Sequence, residues 1–152
     1  MFTIVIYAVG CGIIAAILTV FANLFKPIHK KGDSKPWIAM FTFFAIAFAA
    51  PYAYTEGLTH LYGDKMRSAV QDAFESTDVQ GPMRYFRVIG YRPNKEASVY
   101  AVGLERESWG GTDRPIVSMH LVKDGEGWKA DSYRIVYSAR LNKDGFTFPP
   151  YW

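Results

Sequence analysis

Metal centres draw on clusters of His, Cys, Asp or Glu at ligand spacing. The three histidines here are His29, His60 and His120, and their spacing assembles no such cluster. The sole cysteine, Cys11, has no partner for a disulfide within the chain and reads as a small apolar residue. Nucleophilic catalysis pairs a Ser or Cys with a base. Ser118 and His120 stand two apart, which on a strand sets both on one face. They lack an orienting acid, and no G-x-S-x-G elbow occurs. Gly10-Cys11-Gly12 and Gly110-Gly111 lack the strand, glycine-rich turn and helix that make a phosphate loop. The expectation is a chain with no catalytic, cofactor-binding or metal-ligating residues.

The distribution of charge is more telling. Residues 1–25 carry no charged side chain, and neither do residues 36–55. Between them lie Lys26, Lys30, Lys31 and Lys35 with one acid, Asp33. From Glu56 onward acids and bases balance, so the net charge of +3 comes from this loop. A bilayer core is crossed by about 20 mainly apolar helical residues. Two spans are therefore expected, at about residues 3–25 and 37–55, joined by a loop at 26–36. The first is expected to be retained as an anchor, since no Lys or Arg precedes it and it is long for a signal peptide. Lysine-rich loops stay in the cytoplasm. That puts both termini, and the domain after Glu56, on the periplasmic side of a bacterial inner membrane. The four lysines would also lie against anionic headgroups. Trp37, Tyr52 and Tyr54 suit interfacial positions.

No Asp, Glu, Lys, Arg or His lies inside either span, whereas ion paths and proton relays need them. The spans read as anchor and packing elements. Ala8, Gly12 and Ala16 recur every four residues in the first, and Ala45, Ala49 and Ala53 in the second. Small residues at that spacing let helices approach closely, and the two sets lie at matching depth. They predict the hairpin seam, with Phe41, Phe44 and Phe48 turned to lipid or another subunit. Pro51 should bend the second span.

Beyond Glu56 the composition becomes that of a soluble domain, residues 56–145. Leu61, Tyr62, Met66, Ala69, Val70, Ala73 and Phe74 follow helical spacing, with Lys65, Arg67, Asp72 and Glu75 mostly on the other face. Strands are predicted at 84–91, 98–105, 116–123 and 128–139, rich in β-branched and aromatic residues and separated by Pro, Gly and Asn turns. Short connections make neighbours antiparallel. The fold class is a transmembrane helical hairpin plus a small α+β domain, one helix against a four-stranded antiparallel sheet.

A helix before a curved antiparallel sheet, with Gly127-Trp128-Lys129 opening a late strand, resembles the cystatin-like or NTF2-like group. That group includes enzymes, ligand binders and structural modules, so the fold leaves function open. For an enzyme, the resemblance implies an Asp or His in the concave pocket, and Asp131 and His120 are the residues at hand. Its implication for a ligand binder is an apolar pocket beneath the sheet.

The C-terminal tail, residues 146–152, brings together Phe146, Phe148, Tyr151 and Trp152 with two prolines. Stiff, aromatic segments suit interfaces. Trp109, beside two glycines in a loop, is a second docking candidate. A neutral domain does not suit nucleic acid. The expected function is a non-catalytic accessory subunit of a larger inner-membrane complex, respiratory or photosynthetic assemblies coming first. Its partners would be other membrane subunits and the bilayer. The alternatives are a membrane-anchored ligand-binding module and a periplasmic enzyme using Asp131 or His120.

Overall fold

In a computed structural model the described residues are 2–25, 35–106 and 110–147, with side chains from Ile4 onward. The chain falls into two compact units, the first ending at Ala53 and the second beginning at Tyr54.

The first unit is a pair of helices, α1 (Phe2–Leu24) and the opening half of α2 (Pro36–Glu75). Pro36 suits a first helical position, where its missing N–H has no partner to lose. Both helices are long and apolar enough to cross a membrane. Two threonine hydroxyls are satisfied within their own helix: Thr19 donates to the Ala15 carbonyl at 2.7 Å and Thr42 to the Ile38 carbonyl at 2.9 Å.

The seam between these helices differs from the expected one. On α1 the buried residues are Cys11, Ala15 and Thr19, with Ala8 and Gly12 half-buried and Ala16 exposed. On α2 the half-buried face is Phe43, Phe44, Ala47, Phe48, Pro51 and Tyr52, while Ala45, Ala49 and Ala53 are exposed. Phe44 and Phe48 therefore do not face outward as expected; Phe41 does, at 62% exposure. The physical reason is complementarity of size. Rings of one helix laid over the small residues of the other make more contacts than alanine against alanine. The rings form a ladder: Tyr7 to Phe48 at 5.2 Å, Phe44 to Phe48 at 5.9 Å, and Phe48 to Tyr52 at 6.1 Å between centroids.

Helix α2 continues through Pro51 without ending. A proline inside a helix removes one hydrogen bond to the carbonyl four residues earlier and crowds it, which here is Ala47. The Tyr7 hydroxyl from α1 fills the gap. It donates to the Phe48 carbonyl at 2.9 Å and lies 3.4 Å from the Ala47 carbonyl.

In the second unit the remainder of α2 packs on an antiparallel sheet. The strands are β1 (Met83–Arg92), β2 (Glu96–Gly103), β3 (Glu105–Arg106), β4 (Thr112–Asp113), β5 (Ile116–Asp124), β6 (Gly127–Ser138) and β7 (Lys143–Asp144). The main sheet runs β1-β2-β5-β6-β7, and β3 with β4 forms a separate ribbon. The four long strands agree with the sequence prediction to within two residues. The sheet has a fifth strand rather than four, because β7 is too short to show a period. The outer helix and the second apolar segment are one element.

Met66, Ala69, Val70, Ala73 and Phe74 of α2 pack against Phe86, Val88, Val99, Ala101, Val117, Met119 and Leu121. Leu61 departs from the expected packing face and is 66% exposed. The buried stripe passes through Gly63 instead, where an added Cβ would come within 3.6 Å of the Phe86 ring. Along the edge of β1, the Val88 N–H, which has no neighbouring strand to bond, donates to Thr59 Oγ1 at 2.9 Å. At the β5–β6 turn, Gly125 adopts φ 56°, a conformation that a two-residue hairpin demands and glycine takes freely.

Candidate functional site

Three places in the second unit gather chemistry-bearing side chains. The first is the outer face of the sheet. Ser98 and Ser132 lie directly opposite His120 on the flanking strands, and Ser118 precedes it by two. The acid missing from the sequence reading is Glu96 of β2. Its Oε2 is 3.5 Å from His120 Nε2, and its Oε1 accepts from Arg92 at 2.5 Å. Cross-strand register, invisible in a single sequence, brings it there. Among the described residues no hydrogen bond joins His120 to these serines; the contacts centre on the Glu96 carboxylate.

The second place is a groove of about 410 Å³ between α2 and β6. Asp131 lines it with Asp72, Ser76, Trp128, Lys129 and Tyr133. Of the two residues at hand for the Asp or His that the family resemblance implied, Asp131 lines this groove and His120 does not. Beneath the middle of the sheet, where a concave pocket was expected, Val70, Phe74, Val99 and Met119 fill the space. At the end of the sheet beside the β1–β2 and β5–β6 turns, Tyr62 stacks on Tyr91 at 3.8 Å, and Tyr91 meets Trp128 at 5.9 Å. Lys123 caps the indole at 5.7 Å.

The third place is the base of the β3–β4 ribbon. Glu105 and Asp113 are direct cross-strand partners and both are buried. Glu105 Oε1 accepts from Arg140 Nε at 2.5 Å and from the Gln80 N–H at 3.2 Å. Arg140 also donates to the Asp78 carbonyl. Asp113 takes the N–H groups of Arg114 at 2.8 Å and Ala139 at 2.9 Å. A buried carboxylate persists only where such donors replace its water. The network ties the α2–β1 connection, the ribbon and the β6–β7 turn into one latch. Sequence reasoning missed Glu105, Asp113 and Arg140, since nothing local links residues 35 apart.

Of the docking candidates, Phe146 is 76% exposed. Trp109, Phe148, Tyr151 and Trp152 lie outside the described residues, as do Lys26, Lys30 and Lys31; Lys35 is exposed. The β3–β4 ribbon and the turn that leads to Phe146 are joined by the Asp113–Ala139 hydrogen bond. Cys11 is a free thiol buried in the helix seam. Among the described residues, no group of three or more His, Cys, Asp or Glu is placed to hold a metal ion. No family model matches the chain, and neither a curated protein nor a solved structure matches it.

Proposed function

We propose that the chain is an accessory subunit of a larger inner-membrane complex. In this reading the helix pair spans the bilayer with the lysine loop in the cytoplasm. The α+β domain, of the cystatin-like or NTF2-like kind, stands on the periplasmic side and docks on partner subunits. One observation carries the reading: the helix pair buries little of its own apolar surface. Val5, Val9, Ile13, Ile17, Val20 and Phe21 of α1 are each more than half exposed, as are Trp37, Phe41 and Ile46 of α2. Only lipid or other helices cover such a surface at low cost. The ligand-binding alternative needs an apolar pocket beneath the sheet, where Val70, Phe74, Val99 and Met119 pack together. The enzyme alternative would rest on Asp131 in the groove beside α2 or on His120 on the other face of the sheet, and activity unchanged in an Asp131→Ala, His120→Ala double variant would dismiss both.

Extraction in mild detergent followed by mass spectrometry of what copurifies tests the proposal. Other membrane subunits in fixed ratio are expected. A chain that migrates alone as a monomer would sink it. Sidedness has its own check. In a Cys11→Ser background, a cysteine placed at Lys30 should react with a membrane-impermeant maleimide only after the cells are opened. One placed at Lys143 should react in cells whose outer membrane alone is permeabilised.

A further inference from the structure

The groove of about 410 Å³ between α2 and β6 has a one-sided chemistry. Two buried alanines one turn apart on α2, Ala69 and Ala73, give it an apolar floor. Asp72 of α2 and Asp131 of β6 line it. Asp131 is the extra residue of a β-bulge: Ala130 pairs with Leu121 and Ser132 with His120, so Asp131 has no counterpart on β5. A bulge re-aims a side chain, and bulges are frequent beside functional sites. The hydroxyl donors in the groove are already committed. Tyr133 donates to the Ser76 carbonyl at 3.3 Å, and Ser76 donates to the Ala73 carbonyl at 2.7 Å. Both oxygens are thereby left as acceptors. Against two carboxylates and these lone pairs, Lys129 is the one cation among the described lining residues. We infer that this groove docks a basic segment of a partner subunit, a Lys or Arg side chain lying along the alanine floor with its charge among Asp72 and Asp131.

Complementarity argues for this occupant. An acceptor-rich groove is filled by a group that brings donors and positive charge. The methylene stem of Lys or Arg covers apolar surface while its head stays among polar partners. The ring of Tyr133, 46% exposed, offers a face for the cation. Trp128 of the same lining already serves one cation in this way, Lys123 at 5.7 Å. A small amine would bring the same donors. A pocket for a small molecule, however, encloses most of its ligand, whereas Asp72, Ser76, Lys129, Asp131 and Ser132 are all exposed. Its ion pairs would remain in water, where each is worth little. A partner subunit brings its own surface to cover these side chains and exclude water from the pairs. Docking here presupposes that the chain is a subunit of a complex, as proposed above.

Photo-crosslinking of the full chain in its native membranes tests the proposal. p-Benzoylphenylalanine placed at Ser76 should link, on illumination, to one other subunit, and the linked peptide should contain a Lys or Arg. Asp72→Lys and Asp131→Lys together should lower the yield about tenfold, because like charges facing each other across an interface are costly. Asp72→Glu with Asp131→Glu should retain it. Higher salt should lower it, since exposed charges are screened. Both aspartates are exposed, and an unchanged urea midpoint reports that each variant is folded. Links to the same chain, to a second copy or to lipid would overturn the proposal, as would an equal yield after charge reversal. A wild-type chain that copurifies with other subunits while the groove links to none of them would overturn the docking site and leave the subunit reading standing. A wild-type chain that copurifies with nothing would remove both.

Discussion

The helix pair and the sheet domain each contain a backbone group that its own element leaves without a partner, and each borrows a side chain to satisfy it. In the first unit, Pro51 deprives a carbonyl of its N–H and the Tyr7 hydroxyl steps in. In the second, the β1 edge leaves the Val88 N–H free and the Thr59 hydroxyl accepts from it. The surroundings of the two repairs differ. The sheet domain has a continuous core and a latch of buried charges behind its repair. The helix pair has aromatic rings over small residues, and its outward faces are bare. Where water can reach, an unmet group costs little. In an apolar medium it costs several kcal/mol unless another helix supplies a partner. With the first unit in the bilayer, as proposed, one hydroxyl would carry a larger share of the order there than in the second.

Emptying the core of the sheet domain should have the largest effect. Phe74 is 2% exposed and faces both the sheet and the close approach at Gly103, where an added Cβ would lie 2.7 Å from its ring. Phe74→Ala is expected to cost about 3–5 kcal/mol. Urea unfolding in detergent, followed by the fluorescence of Trp128, measures it. A loss below about 1 kcal/mol would mean that the core collapses readily around the cavity.

Breaking the latch comes next. Glu105→Ala leaves Arg140 and the Gln80 N–H without their acceptor in a mostly buried place. The loss is expected at about 2–3 kcal/mol, below that of a fully buried pair because Arg140 reaches solvent. Arg140→Ala in the same background should cost little more, since the two residues act as a unit. Additive losses would show that Arg140 works chiefly through the Asp78 carbonyl. Hydrogen exchange at the β3–β4 ribbon should rise in either variant while β2 and β5 stay protected.

The contrast also marks what a single sequence can carry. Strands β1, β2, β5 and β6 and the packing face of α2 from Met66 to Phe74 were legible because burial imposes a period on many residues at once. Strands β3, β4 and β7 are two residues each and carry no period. The helix seam was misread for another reason. Small residues mark where helices approach, but both Ala8-Gly12-Ala16 and the neighbouring Cys11-Ala15-Thr19 satisfy that rule. Which of them faces in depends on how each helix is turned, and Phe44 and Phe48 decide it by filling the space. The pairings of Glu105 with Arg140, Glu96 with His120 and Tyr7 with the turn before Pro51 each join residues that only the finished fold brings together.

Tyr7 offers the finest test of the comparison, because its effect should depend on a residue that it does not donate to. Tyr7→Phe keeps the ring against Phe48 and removes only the hydroxyl. Interhelical hydrogen bonds in membranes average about 0.6 kcal/mol and reach about 1.7. A donor that serves carbonyls disturbed by a proline belongs toward the upper end, about 1 kcal/mol. Pro51→Ala restores an N–H for the Ala47 carbonyl, so the hydroxyl should then matter less. Unfolding by SDS in mixed micelles, measured for the wild type, both single variants and the double variant, gives the coupling directly. Tyr7→Phe should be destabilising beside Pro51 and close to neutral beside Ala. An equal loss in both backgrounds would mean that the hydroxyl holds the helices together irrespective of the proline, and the parallel with Thr59 at the β1 edge would fail.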